Sequence, residues 1–243
     1  IDHNTNAFEP VYAGVIETLD DTVGRLLAKL EALKLAENTI VVFTSDNGGL
    51  HVPELAHAKI THNTPWRAGK GFVYQGGLRI PLIVRWPGHV PAGKVVDDPV
   101  INTDWIPTLC ELAGLPPPFG LDGVSVAKFL TGNGPPPSRS FFWHFPHYTN
   151  QGSRPTGAMR DANWMLVEYY DTDQVELYDL TTDIGEARDL ASAQPARVAN
   201  MRAALDAWRA SVNAQRNQPN PDFVPAQFQA LYLDVNPSRF EPA

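Results

Sequence analysis

Cysteine is almost absent from this chain, in which Cys110 is the only thiol among 243 residues. A single cysteine cannot form an internal disulfide, so a fold stapled by disulfides is excluded. The apolar neighbours of Cys110 in residues 108–113 favour a small core residue. The redox state of the compartment is left open.

A surplus of basic residues is also missing, because 19 lysines and arginines face 27 aspartates and glutamates, for a net charge of −8. Binding to nucleic acid or to an anionic membrane surface depends on a positive field. We therefore predict no nucleic-acid partner. The hydrophobic fraction of 43% is still large enough for a globular core.

Long apolar runs are missing as well, so we predict no membrane span. The chain begins with Ile-Asp-His-Asn at residues 1–4 and shows neither an initiating methionine nor a signal-peptide pattern. We expect such a start in the middle of a longer polypeptide.

Helical and extended patterns alternate over the first part of the chain. Apolar residues recur every three or four positions over residues 12–35, which predicts an amphipathic helix. Residues 39–44 form an apolar run typical of a buried parallel strand, and residues 78–86 predict another strand. Helices are predicted over residues 104–113 and 124–130. This order favours an α/β fold in which helices cover a parallel sheet.

The pattern changes beyond residues 131–137, whose glycines and prolines predict a domain boundary. Short strands separated by turns then predict a small antiparallel sheet. These strands are expected over residues 141–145, 157–160, 164–170 and 175–180. A helix over residues 195–214 should pack on that sheet, and the tail from residue 217 should be extended. We therefore predict domains at residues 1–135 and 136–243.

Asp46 and Asn47 stand where the predicted strand 39–44 ends. Ligands gather beyond the carboxyl ends of strands in open α/β sheets, and both side chains offer oxygens of the kind that Ca²⁺ or Mg²⁺ takes. Asp-Asn-Gly-Gly is also a common turn sequence, and these four residues alone favour the turn.

A polar loop at residues 50–67 holds His51, His57 and His62. Their spacing does not place two of them on one helix face, as a zinc-binding helix would. We therefore expect solvated loop histidines.

Lys70 is bracketed by Gly69 and Gly71 in a loop that is not a Walker motif. The glycines allow a ligand to approach the backbone, and the lysine can serve as a point charge for an anion.

The most aromatic stretch, residues 142–148, contains His144 and His147. Strand alternation would turn Trp143 and Phe145 to the core and His144 the other way. One interpretation is plain core packing. The other is that His144 and His147 reach a cleft between domains and help to select a sugar.

Four motifs in fixed order resemble the type I (formylglycine-dependent) sulfatases of the alkaline-phosphatase superfamily, over roughly residues 12 to 215. They are Ser-Asp-Asn-Gly at 45–48, Gly-Lys-Gly at 69–71, Gly-Gly-Leu-Arg-Ile-Pro at 76–81 and Trp-Pro-Gly at 86–88. The resemblance implies the C-terminal part of an α/β/α sandwich, followed by a small antiparallel sheet plus helix.

The resemblance also implies roles for three side chains. Asp46 and Asn47 match ligands of a divalent cation, most often Ca²⁺, with Mg²⁺ as an alternative, and Lys70 matches the lysine that binds the sulfate ester near the leaving oxygen. A cation and a lysine together neutralise charge on the peripheral and the leaving oxygens.

The chain departs from the family in lacking the Cys-x-Pro-x-Arg motif whose cysteine becomes formylglycine, since Cys110 is followed by Glu-Leu-Ala. We therefore expect the nucleophile in a missing N-terminal half of the same domain, and this chain alone to be inactive. Gln75 also replaces a glutamate found in many relatives. The resemblance implies a periplasmic or secreted protein.

The function expected from the resemblance is hydrolysis of a sulfuric ester, on a sulfated small molecule or glycan. A phosphoesterase or phosphonate hydrolase of the same superfamily is the first alternative. A non-catalytic carbohydrate- or partner-binding relative is the second.

Overall fold

The computed structural model describes residues 10–52 and 61–234. They form two compact units, each assembled from separated stretches of chain. The helix unit comprises residues 10–44 and 82–138, and the sheet unit comprises residues 45–52, 61–81 and 139–234. The predicted domains, 1–135 and 136–243, stay a prediction for the intact protein.

Regular elements lie within a few residues of most predicted positions. The helices are α1 (Pro10–Ala32), α2 (Gln75–Leu78), α3 (Trp105–Leu112), α4 (Ala127–Leu130), α5 (Pro195–Ser211) and α6 (Pro225–Phe228). The strands are β1 (Val41–Thr44), β2 (Leu82–Arg85), β3 (Phe141–Phe145), β4 (Thr156–Asp161), β5 (Trp164–Tyr169) and β6 (Val175–Asp179). Of the helices in the described ranges, none is long and apolar enough to cross a membrane.

In the helix unit, β1 and β2 pair antiparallel, from Val41 opposite Arg85 to Thr44 opposite Leu82. The expectation of a parallel strand is wrong for this pair, because the chain returns through residues 45–81 and enters β2 in the opposite direction. The strand is also less buried than predicted, since its residues are half-buried or exposed.

Much of the apolar surface of the helix unit is exposed. Helix α1 has the predicted apolar stripe, yet Ile16, Leu19, Leu26 and Leu33 are each about half exposed. Both hydrophobic clusters found among the described residues lie in the sheet unit instead. The helix unit therefore carries apolar surface of the kind that folded proteins usually cover.

In the sheet unit, β3, β4, β5 and β6 form an antiparallel meander whose alternate side chains are buried on opposite faces. One face, with Met165, Val167 and Tyr178, packs against residues 68–74. The other face packs against α5. This confirms the predicted small antiparallel sheet with one helix.

The tail is not extended as predicted, because α6 and a following turn of π-helix, Gln229–Leu233, occupy it. The helical turn places Phe228 and Tyr232 on one side, and both rings contact Tyr148, at centroid distances of 6.2 and 4.6 Å. Aromatic packing of this kind outweighs the lack of a clear period in the sequence.

Candidate functional site

The turn that begins at Asp46 closes on itself through hydrogen bonds. The Asn47 amide donates to Asp46 Oδ1 (3.0 Å), and Ser45 Oγ donates to the Asn47 carbonyl oxygen (3.0 Å). The Asn47 side chain donates through Nδ2 to the Gly48 carbonyl oxygen (2.9 Å). The local structure is thus the turn that these residue types favour.

This turn is joined to the loop that carries Lys70. The Lys70 amide donates to the Gly49 carbonyl oxygen (3.1 Å). The side chain of Asn63 links the same two segments. Its Oδ1 accepts from the Gly49 backbone N–H (3.0 Å), and its Nδ2 donates to the carbonyl oxygens of Gly49 and Ala68 (both 2.9 Å). The structure therefore brings Asp46, Asn47 and Lys70 onto adjoining segments. Sequence reasoning missed Asn63, which lies in a loop without periodicity.

Glycines allow these segments to approach so closely. A β-carbon at position 48 would lie 2.7 Å from the Gly76 carbonyl carbon and 3.0 Å from Gly77 Cα. The Gly48 amide donates to the Gly77 carbonyl oxygen (2.9 Å). The Ser-Asp-Asn-Gly and Gly-Gly motifs, which are distant in sequence, are therefore in backbone contact.

Exposure and charge distinguish the three predicted site residues. Asp46 and Lys70 are exposed, and Asn47 is half-buried. Within the described ranges, the Lys70 ammonium makes no ion pair. A free ammonium, a carboxylate and an amide oxygen are chemically suited to an anion beside a hard cation.

The metal-ligand reading has only partial support from the donor set. No group of three or more His, Cys, Asp or Glu side chains that could hold an ion occurs in residues 10–52 and 61–234. Asp46 and Asn47 supply two oxygens, whereas Ca²⁺ takes six to eight. These residues fit a hard cation only if further ligands come from elsewhere.

The loop histidines differ from one another. His51 is buried, with 1% of its surface exposed, and its ring stands edge-on to Phe72 at 5.2 Å. The expectation of a solvated His51 is therefore wrong, and the reason is Gly69, where a β-carbon would lie 2.8 Å from His51 Nδ1. His62 is exposed as expected, and His57 lies outside the described residues.

His144 and His147 stand in different surroundings. The His144 Nε2 donates to the Gln215 carbonyl oxygen (2.8 Å), so its Nδ1 accepts from the Tyr170 hydroxyl (2.8 Å). Trp143 and Phe145 pack on the face that bears residues 68–74, as alternation predicts, and His144 projects from the other face. His147 is exposed. Its surroundings are therefore more open to a ligand than those of His144.

A buried polar network ties the Lys70 loop to the sheet beneath it. Glu176 Oε2 accepts from the hydroxyls of Tyr74 (2.6 Å) and Tyr178 (2.8 Å). Arg67 donates to the Tyr178 hydroxyl (2.8 Å), and its guanidinium carbon lies 4.0 Å from the centre of the Tyr74 ring. Burial raises the pKa of Tyr169, whose hydroxyl lies 2.6 Å from that of Tyr74, to about 12. The tyrosines therefore stay neutral donors.

Two protein-family models match overlapping parts of the chain. Residues 66–211 match the family model described as N-sulphoglucosamine sulphohydrolase, C-terminal, and residues 3–115 match the model described as Sulfatase. A sulfatase of Formosa agariphila is 36% identical over 228 residues, covering 84% of this chain and 40% of that protein. The steryl-sulfatase of Mus musculus is 33% identical, covering 93% of this chain and 40% of that protein.

Solved structures share the fold. The structure of Ps i-CgsB in complex with k-i-k-neocarrahexaose superposes with a TM-score of 0.69 at 30% identity, covering 81% of this chain and 42% of that chain. The phosphonate monoester hydrolase SpPMH from Silicibacter pomeroyi gives a TM-score of 0.60 at 27% identity, covering 79% and 38%. This chain thus spans about 40% of the length of such relatives. The resemblance drawn from the four motifs is confirmed, and the chain belongs to the type I sulfatase family of the alkaline-phosphatase superfamily, whose C-terminal portion it matches.

Proposed function

We propose that this chain works as part of a sulfuric ester hydrolase that acts on sulfated carbohydrate. Lys70 is the catalytic residue of this portion, and Asp46 and Asn47 contribute to a divalent-cation site, most often Ca²⁺ in this family. The observation that carries the proposal is the bond from the Lys70 amide to the Gly49 carbonyl oxygen (3.1 Å), which holds the lysine beside the Asp46 turn.

The chemistry of ester hydrolysis suits this arrangement. Negative charge develops on the leaving oxygen as its bond to sulfur breaks, and a cationic donor placed there stabilises the transition state. The exposed ammonium of Lys70 can approach an ester oxygen from solvent because no carboxylate in the described ranges neutralises it. A bound cation would neutralise charge on the other sulfate oxygens.

The nucleophile should lie outside this chain, on a formylglycine in an N-terminal half of the same domain. The apolar stripe on α1 supports this, because Leu19, Leu26 and their neighbours are exposed here and need a cover. We propose that the missing half covers this stripe, and that the chain alone does not turn over substrate. A periplasmic or secreted location is proposed from the family alone.

The carbohydrate substrate has two supports, one structural and one comparative. His147 and Tyr148 are exposed, and an aromatic surface with polar groups suits a sugar ring. The solved structure of Ps i-CgsB holds an oligosaccharide. The relatives also include a steryl-sulfatase, so the substrate must be tested directly.

A phosphonate or phosphate ester is the second candidate, favoured by the similarity to SpPMH. Sulfate and phosphate esters have similar shapes, so Lys70 could serve either. Parallel assays of the intact protein on an aryl sulfate, a sulfated sugar and an aryl phosphonate would separate the two. Higher kcat/KM on the phosphonate would replace the sulfatase proposal.

The deciding experiment is Lys70→Ala in the intact protein, with Lys128→Ala as the control, because Lys128 is also exposed but lies in α4. Loss of a transition-state contact should lower kcat and kcat/KM together, by about 10² or more, on the scale of other electrostatic stabilisers. A rise in KM alone would show that Lys70 binds substrate uniformly and does not assist the chemical step.

A further inference from the structure

Glu186 lies in the connection between β6 and α5 and is completely buried, with 0% of its surface exposed. Its backbone φ is +53°, in the left-handed region that favours glycine and asparagine. Both the left-handed backbone and the burial of a carboxyl group cost free energy of folding. Such a residue persists only where its contacts with the surrounding structure offset these costs.

The contacts of Glu186 reach both ends of the Lys70 loop. Its side-chain Oε2 accepts a hydrogen bond from the backbone N–H of Gln75 (2.7 Å). Its backbone carbonyl oxygen accepts a hydrogen bond from Arg67 Nη1 (3.0 Å). Arg67 precedes Lys70 by three positions and Gln75 follows it by five. The Gly76 amide donates to the Arg67 carbonyl oxygen (2.9 Å), which closes the base of the loop.

The carboxylate of Glu186 is not needed for its own turn. Asp183 supplies that support, because its Oδ1 accepts from the Ala187 amide (3.1 Å) and its Oδ2 accepts from the Arg188 amide (2.8 Å). Among the described residues, Glu186 Oε1 accepts no hydrogen bond although it is buried. The hydrogen bonds that Glu186 accepts through Oε2 and its backbone carbonyl oxygen come from Gln75 and Arg67.

Burial raises the pKa of Glu186 to about 8. The carboxyl group therefore resists ionisation. The side chain of glutamine has the same shape and is neutral, so in Glu186→Gln its oxygen should accept the same hydrogen bond from the backbone N–H of Gln75.

We propose that Glu186 is a positioning residue that sets the Lys70 loop, because one residue of the sheet unit holds both Arg67 and Gln75 at the two ends of that loop. The functional consequence rests on the proposed role of Lys70. The site would then extend from the loop to a residue more than a hundred positions away in the sequence.

Three variants of the intact protein test it. Glu186→Gly permits the same backbone conformation, keeps the carbonyl oxygen that binds Arg67 and removes the whole side chain. Glu186→Gln keeps an oxygen that can accept from the Gln75 amide. Asp183→Asn is the matched control, since it weakens the same turn without touching the loop.

Two readouts are combined: hydrogen exchange in peptides that cover residues 67–77, and kcat on an aryl sulfate. Glu186→Gly should raise exchange in that segment at least tenfold and lower kcat by about 10- to 100-fold, in the range of misplaced catalytic groups. Glu186→Gln should stay within about threefold of wild type in both, as expected when a bond is kept. Asp183→Asn should leave exchange of residues 67–77 unchanged.

The proposal is overturned if Glu186→Gly exchanges and turns over like wild type, or if Glu186→Gln is as impaired as Glu186→Gly. If Glu186→Gly does not fold, hydrogen exchange of the wild-type protein tests the proposal. A Gln75 backbone N–H that exchanges as fast as one without a hydrogen bond would contradict the bond on which the proposal rests. If Lys70→Ala is active while Glu186→Gly still loosens the loop, the proposed function fails and the positioning of the loop stands.

Discussion

Substitution of Gly48 by alanine should damage both stability and the candidate site. Gly48 is buried, and an added β-carbon would overlap the Gly76 carbonyl oxygen and lie 2.7 Å from the Gly76 carbonyl carbon and 3.0 Å from Gly77 Cα. Non-bonded heavy atoms in contact are normally about 3.5 Å apart, so one segment must retreat by more than about 1 Å. Both neighbours are backbone atoms and cannot move aside as a side chain can.

The cost can be worked out from two contributions. Overpacking of a close-packed site costs about 1–3 kcal/mol. The bond from the Gly48 amide to the Gly77 carbonyl oxygen (2.9 Å) would also lengthen, at about 1 kcal/mol. The free energy of unfolding should thus fall by about 2–4 kcal/mol, and Tm should fall with it.

Thermal unfolding of the intact protein measures the effect, with Gly24→Ala as the control. Gly24 lies inside α1, and a β-carbon there would meet nothing within 4 Å, so alanine should stabilise the helix by about 0.5–1 kcal/mol. Gly48→Ala should also impair activity, because it separates the Asp46 turn from the Gly76-Gly77 segment. A Gly48→Ala protein with wild-type Tm and activity would refute the close packing described here.

Asp46→Ala should weaken binding of Ca²⁺ to the intact protein, since it removes a charged ligand, and calorimetry showing wild-type affinity would exclude Asp46 from the site. His147→Ala should change the ratio of kcat/KM between a sulfated sugar and a small aryl sulfate more than His144→Ala does, because the ring nitrogens of His144 are already bonded; an unchanged ratio in both folded variants would mean that neither histidine selects the sugar. Burial raises the pKa of Glu186 from 4.5 to about 8, so its contribution to stability is complete below about pH 4.5 and is lost as the pH rises to about 8, at roughly 1.4 kcal/mol per pH unit. Denaturation of the wild type and of Glu186→Gln across this range should show a shallower pH dependence in the variant, and equal slopes would show that Glu186 titrates normally.

The local patterns in the sequence were sufficient for most helices and strands. The four strands β3 to β6 are short runs of strand-forming residues separated by turn residues, so the sequence predicts them without knowledge of their partners. The direction of β1 was not readable, because a short apolar run suits a parallel or an antiparallel neighbour equally.

The candidate site was predictable only where a motif marked it. Asp46, Asn47 and Lys70 lie within glycine-containing motifs, whereas Asn63 and Glu186 contact segments that are distant from them in the sequence. Nothing near Glu186 in the chain shows that its carboxylate meets the Gln75 amide. The burial of His51 also depends on a contact that the sequence does not show, since Gly69 leaves the space that its ring occupies.

The packing of residues 68–74 on Met165 and Val167 limits where two sulfatase sequences can be joined in a chimeric protein. If the junction lies between residues 81 and 139, the Lys70 loop comes from one parent and the sheet β3 to β6 from the other. The hydrophobic interface between the loop and the sheet would then join side chains that do not match. A junction just ahead of residue 66, where the match to the C-terminal family model begins, transfers the loop with the sheet that supports it, and the backbone contact of Gly48 with Gly76 and Gly77 must then match between the parents. The Lys70 loop and the sheet should therefore come from the same parent protein.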